Sequence, residues 1–181
     1  MNYYEIELAG LIRRLPIVPL SDELSIASFV ILGDAELVVH VAPELDRRIP
    51  EADYYLTAEA KGIPLVHEMA TLRKMPYYIV ARKSTKAYMV DPLHVSVNSI
   101  TTTGEQQLIL DGHDAELIKG KRVAIIDDVI SSGESLRAIE ELAIAAGATV
   151  VAKAAILAEG DAIGREDITV LGELPLFREQ L

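Results

Sequence analysis

The sequence predicts an α/β protein with a central parallel sheet flanked by helices. Three observations predict it. Short β-branched and apolar runs (Tyr54–Thr57, Tyr77–Ala81, 122–127 and 149–157) alternate with segments of helical period, the strand–helix–strand pattern of parallel sheets. Glycine, proline and small polar residues mark the boundaries between them. Polar clusters follow directly on three of the runs, Glu59–Gly62, Arg82–Lys86 and Asp127–Ser135. In parallel sheets, ligands bind outside the carboxyl ends of the strands, so these clusters belong at one end of the molecule.

The elements are expected in the following order. Residues 2–14 carry Tyr4, Leu8, Leu11, Ile12 and Leu15 at helix-like spacing, closed by Pro16. Ile26 to Leu32 reads as a strand before Gly33-Asp34. Asp34 is a candidate cap for a helix over 35–48, closed by Pro50. A strand over 54–57 leads into a turn at Glu59–Gly62 and a helix over 63–73, with Pro64 in its first turn. After the strand at Tyr77–Ala81, Val95–Ile100 and Gln107–Leu110 form a hairpin around Thr101–Gly104. A strand over 122–127, a helix over 134–146 with Gly147 at its C-terminal end, and a strand over 149–157 complete the pattern.

With 181 residues, half of them apolar, the chain fits one domain with a sizeable core. A net charge of −11 argues against non-specific nucleic-acid binding, which needs a basic face. The absence of cysteine removes any disulfide framework and suits a reducing cytoplasm. No apolar run approaches the roughly 20 residues of a membrane span. The acidic start, MNYYEIELAG, does not read as a signal peptide. The expectation is a cytoplasmic protein without membrane or nucleic-acid partners.

KRVAIIDDVISSGES, residues 121–135, says most about chemistry. A buried strand ends in Asp127 and Asp128, and a small-residue turn leads into a helix. Backbone N–H groups and the positive end of a helix dipole suit a phosphate. Two ionised carboxylates accept hydrogen bonds from vicinal hydroxyls or hold a magnesium ion. Phosphate plus polyol describes a phosphorylated sugar. The plainer alternatives are two acids at a strand end, a serine N-cap at Ser131 or Ser132, an ordinary turn at Glu59–Gly62, and a solvated basic run at Arg82–Lys86. His40, His67, His94 and His113 show no metal-binding spacing.

IIDDVISSGES resembles the phosphoribosyl-pyrophosphate (PRPP) motif of type I phosphoribosyltransferases. TAEAKGIPL (57–65) resembles their pyrophosphate loop, and ARKSTK (81–86) the basic segment of the adenine and xanthine members. LSDELSIASF, SVNSITTTGEQQLILDG and ILAEGDAIGRED are similar to stretches of bacterial xanthine phosphoribosyltransferase and of the PRPP-sensing domain of the purine operon repressor. The resemblance implies a type I phosphoribosyltransferase fold over residues 1–181. It would carry a small hood from about 1–32 and 158–181, and the segment 84–106 would be a flexible β-hairpin closing over the site.

It also implies roles. Asp127 and Asp128 would receive the ribose hydroxyls, directly or through Mg2+. Ser131, Ser132, Gly133, Glu134 and Ser135 would hold the 5′-phosphate, with Glu134 a departure from the glycine of many relatives. Glu59, Ala60, Lys61 and Gly62 would hold pyrophosphate by backbone N–H groups, in a turn that often contains a cis peptide bond. Arg82, Lys83 and Lys86 would stabilise the departing charge, Lys83 and Lys86 catalytically, with part of the cluster reaching a neighbouring subunit in a homodimer.

The implied reaction joins PRPP and a purine base into a nucleoside monophosphate, in purine salvage. Leu24, Phe29 and Glu159 are the expected base-binding residues. Glu159 falls where the xanthine enzyme has a lysine, and Ile31 where its hood has an asparagine. A carboxylate accepts from an exocyclic amine, so adenine is expected. The alternatives are a xanthine, hypoxanthine or guanine enzyme, and a non-catalytic PRPP sensor. The roughly 20 residues before the matching region are too few for that repressor's winged helix.

Overall fold

The structure, a computed structural model, describes residues 2–97 and 106–178. Five parallel strands form the central sheet: β4 (Tyr54–Ala58), β5 (Ile79–Ala81), β8 (Arg122–Ile130), β9 (Thr149–Glu159) and β10 (Thr169–Leu174), in the order β10-β9-β8-β4-β5. Their apolar side chains alternate between faces, as a sheet buried on both sides requires. Tyr55, Ala124 and Ile126 join one core with α1 (Ala35–Asp46) and α2 (Ile63–Leu72). Leu56, Val123 and Ile125 join the other with α3 (Gly112–Ile118) and α4 (Glu134–Ala145).

A second sheet has the order β1-β2-β3-β11, from β1 (Tyr3–Leu8), β2 (Leu11–Pro19), β3 (Leu24–Ala27) and β11 (Leu176–Arg178). It corrects the helix expected over 2–14. Tyr4 and Leu8 are four apart, a spacing that fits both a helix and an alternating strand. Ile6 between them and the outward Glu5 and Glu7 decide for the strand. Ala9 and Gly10, both at positive φ (50° and 81°), close a two-residue hairpin that pairs Leu8 with Leu11. The strand expected over 26–32 is displaced to 24–27, although Phe29 and Ile31 still turn into the core. Arg13 ties this sheet to the main body, bonding Asp34 (2.7 and 3.0 Å) and Glu36 (2.7 Å) at the start of α1.

Asp34 caps α1 as expected, accepting from Leu37 N–H at 3.1 Å. Helix α3, β10 and β11 lie where the sequence reading placed no element. The hairpin β6 (Leu93–Val97) and β7 (Gln106–Leu110) is antiparallel; its expected turn at Thr101–Gly104 and residues 98–100 lie outside the described residues. Mutual bonds between Arg82 and Ile109 (2.7 and 2.8 Å) fasten β7 beside the end of β5. Among the described residues, no helix is long and apolar enough to cross a membrane.

Candidate active site

The order of strands, not their direction, reverses between β4 and β8: from β4 the chain passes outward to β5, then returns to β8 on the other side. Such a switch point opens a crevice at the carboxyl edge of a sheet. Register sets the heights of the lining segments. Ala58 pairs with Ala81, Asp127 pairs with Ala155, and the Leu56–Ile125 pair, extended by two residues, brings Asp127 level with Ala58. The three polar clusters therefore leave the sheet at one level. Between them lies a cleft of about 560 Å³, lined by Ala58–Lys61, Lys83, Asp127–Val129, Ser135 and, from the hairpin, Val97, Gln107 and Leu108. That size suits a small organic ligand.

Strand β8 continues past the acids to Ile130, longer than the sequence suggested, so backbone pairing fixes both aspartates. Asp128 is only 3% exposed. Its N–H donates to Asp127 Oδ1 at 2.8 Å. Lys61 Nζ lies 2.9 Å from Asp128 Oδ2, close enough for an ion pair, yet the angle is not that of a hydrogen bond and the oxygen's acceptor capacity is unmet. Burial, and then the charge of Asp128, push the Asp127 carboxyl well above the usual carboxylate range, against a smaller opposing pull from Lys61. A cation or donor brought between the two acids would relieve both. Among the described residues no cluster of three metal-ligating side chains exists. The unmet Oδ2 of Asp128 beside the Asp127 carboxylate fits a magnesium ion, whose remaining ligands would come from substrate oxygens and water.

After β8 the chain turns through Ser131, Ser132 and Gly133, walling a pocket of about 70 Å³ with Asp127 and Ser135. Gly133 itself is the N-cap of α4, in the left-handed conformation (φ 81°), without a side-chain cap. The plainer alternative, a serine N-cap at Ser131 or Ser132, is not formed. Ser132 Oγ stands 3.5 Å from Glu134 N–H, at the outer limit of a bond, and Ser131, Ser132 and Ser135 are exposed.

The turn after β4 contains a cis peptide, Glu59–Ala60. Glu59 N–H donates to Ala81 O at 2.9 Å, so it is not open to a ligand as expected. The N–H groups of Ala60, Lys61 and Gly62 have no acceptor among the described residues. A Cβ on Gly62 would overlap Thr57 Oγ1 and lie 3.3 Å from Ile126 O, so only glycine fits where the turn crosses β4 and β8. Burial raises the Glu59 carboxyl, but its bonds to Arg82 and to Lys83 N–H outweigh that, leaving it below the usual range. Arg82 also donates to Tyr88 Oη at 2.7 Å. Glu59 and Arg82 thus brace the two segments, while Lys83 stays exposed on the cleft and Lys86 Nζ bonds Ser84 Oγ at 2.6 Å.

Of the expected base-binding residues, Glu159 stands at the carboxyl end of β9, partly buried. Burial raises its carboxyl and the charge of Lys61 opposes this, although Glu159 does not itself line the main cleft. Phe29, 6% exposed, packs in the core, and Leu24 sits half-buried in β3; neither lines the main cleft. Val97, Gln107, Leu108 and Val129 line it without having been singled out in the sequence. All four lie within the quoted stretches SVNSITTTGEQQLILDG and KRVAIIDDVISSGES, but as ordinary strand residues that carry no reactive group of their own.

A family description, phosphoribosyl transferase domain, matches residues 56–172. The hypoxanthine/guanine phosphoribosyltransferase of Methanotorris igneus is 32% identical over 143 residues, covering 79% of this chain and 72% of that protein. The xanthine phosphoribosyltransferase of Chloroflexus aurantiacus is 32% identical over 141 residues, covering 77% and 65%. The solved adenine phosphoribosyltransferase of Thermoanaerobacter pseudethanolicus superposes with a TM-score of 0.72 at 18% identity, covering 88% of this chain and 95% of that one, a likeness of fold. With the matched domain spanning β4 to β10 and every strand end of the cleft, the chain belongs to the type I phosphoribosyltransferases, in their purine branch.

Proposed function

We propose that this phosphoribosyltransferase transfers 5-phosphoribose from PRPP to adenine, giving AMP and pyrophosphate. A purine nitrogen bonds to C1 as the C1–oxygen bond to pyrophosphate breaks and the purine's ring N–H proton passes to solvent, with positive charge building on the ribose and negative charge on the leaving group. The reading rests on one observation: three strand-end segments of complementary chemistry open on a single cleft at the switch point. Loop 131–135 takes the 5′-phosphate. Asp127 and Asp128 accept from the ribose hydroxyls. The N–H groups of Ala60, Lys61 and Gly62 hold pyrophosphate, with Lys61, Lys83 and Lys86 matching its charge as it departs. Mg2+, held by Asp127 and Asp128 with substrate oxygens, would supply further charge neutralisation. A homodimer belongs to the same reading, and light scattering tests it.

Adenine is favoured by Glu159: an ionised carboxylate beside the cleft accepts from an amine and repels an oxo group. A second reading, a 6-oxopurine enzyme, is favoured by the hypoxanthine/guanine and xanthine specificities named for relatives at 32% identity. PRPP-dependent turnover across adenine, hypoxanthine, guanine and xanthine decides between them. Adenine should have the highest kcat/KM, and turnover of an oxopurine without adenine refutes the proposal.

A further inference from the structure

The connection from β9 to β10 begins at Glu159 and six residues later brings Arg165 against Gly133, at the start of α4. The Arg165 guanidinium forms a fork with Asp167, Nε to Oδ1 at 2.9 Å and Nη2 to Oδ2 at 2.7 Å. Asp167 is also paired with Lys153 (2.9 Å), which reaches Glu140 on α4 (3.3 Å). The fork fixes the plane of the guanidinium and leaves one nitrogen over. That nitrogen, Nη1, has no acceptor among the described residues, although the side chain is only 31% exposed. It lies against Gly133: a Cβ placed there would come within 2.5 Å of it. Gly133 is thus glycine for two reasons, its positive φ and the guanidinium on its open face.

We propose that Arg165 is a phosphate-binding residue, whose Nη1 donates to the 5′-phosphate held by loop 131–135. The Arg165–Asp167–Lys153–Glu140 cluster is neutral as a whole. The contribution of Arg165 is therefore a directed, charge-assisted hydrogen bond rather than added net charge. Its plane is already fixed by Asp167, so the bond needs no reorientation of the side chain. This inference rests on the transferase reading, in which that loop takes the 5′-phosphate.

The test is equilibrium binding of ribose 5-phosphate, PRPP and inorganic pyrophosphate to the wild type, Arg165→Gln and Asp167→Asn. Losing one charge-assisted bond should weaken ribose 5-phosphate and PRPP about tenfold in the glutamine variant. Pyrophosphate, held across the cleft at Ala60–Gly62, should be unchanged. Asp167→Asn, which frees the fork but keeps the arginine, should give a smaller loss of the same selectivity, and it stands in if the glutamine variant does not fold. Equal losses for all three ligands, or none for ribose 5-phosphate, overturn the role of Arg165. A wild type that binds neither ribose 5-phosphate nor PRPP overturns the transferase reading instead.

Discussion

Gly62→Ala is the sharpest single test of how the turn proposed to hold pyrophosphate is built. The new methyl group would overlap Thr57 Oγ1, on a side chain with no exposure, and would stand 3.3 Å from Ile126 O in the neighbouring strand. Neither can retreat freely: Thr57 sits inside β4 and the carbonyl belongs to β8. Overpacking of this kind costs about 1–3 kcal/mol. In a chain of this size that lowers Tm by roughly 2–4 °C per kcal/mol. The easiest relief is outward movement of residues 60–62, which carries the open N–H groups away from the ligand. KM for PRPP should therefore rise, while KM for the base changes little. Thr57→Ala in the same chain removes the clashing oxygen, leaving a tight contact from the Thr57 Cβ at 3.3 Å. The double variant should recover at least about 1 kcal/mol relative to additivity, as expected for residues in contact. Thermal unfolding and steady-state kinetics on the four proteins measure both effects. A Gly62→Ala protein with wild-type Tm and wild-type KM for PRPP would refute the packing argument.

Asp127→Asn should abolish turnover yet stabilise the unliganded protein by about 1–2 kcal/mol above neutral pH, because it removes a half-buried charge set beside Asp128. The raised carboxyl contributes stability that is complete below its unfolded pKa of about 4 and is lost as pH rises through its higher folded value. The gain of the variant must therefore grow with pH, and a gain that is flat or shrinks in urea titrations would contradict this. Tyr55→Phe removes a buried 2.6 Å bond to Asp46, which keeps only Arg73 at 2.8 Å; a loss of about 1–2 kcal/mol with unchanged KM for PRPP is expected, and an unmoved denaturation midpoint counts against it. Glu159 accepts from an amine when ionised and donates to an oxo group when protonated, and burial raises its carboxyl. Lowering the pH should raise the ratio of hypoxanthine to adenine turnover, Glu159→Gln should flatten that response, and a pH-independent ratio in the wild type would remove Glu159 from base selection.

The parallel sheet was legible because its strands are buried on both faces and read as continuous apolar runs closed by polar clusters. Asp127, Asp128 and the loop to Ser135 were legible for the same reason: chemistry sits where a strand stops. The hood was not. Tyr4 and Leu8 satisfy two periods at once, and the strand that completes that sheet, Leu176–Arg178, comes from the other end of the chain, where three residues carry no pattern. Side-chain pairing was equally hidden. Glu59 and Arg82 both looked like ligand groups, yet they engage each other once β4 and β5 lie side by side.

That pairing changes what the basic cluster can do. ARKSTK offers three cations in sequence, but Arg82 is held by Glu59 and Tyr88, and Lys61 leans on Asp128. The cleft of the free protein therefore presents its acids already partly neutralised from within, with Lys83 as the cation open to the cleft. A ligand that carries both hydroxyls and phosphates can exchange these internal pairs for its own, hydroxyls to Asp128 and pyrophosphate to Lys61. A simple anion can recruit Lys61 only by leaving Asp128 buried without its ion pair. In the proposed reading the arrangement favours the combination of groups: a sugar pyrophosphate binds more tightly than free phosphate or pyrophosphate, which bind at the cost of the Lys61–Asp128 pair.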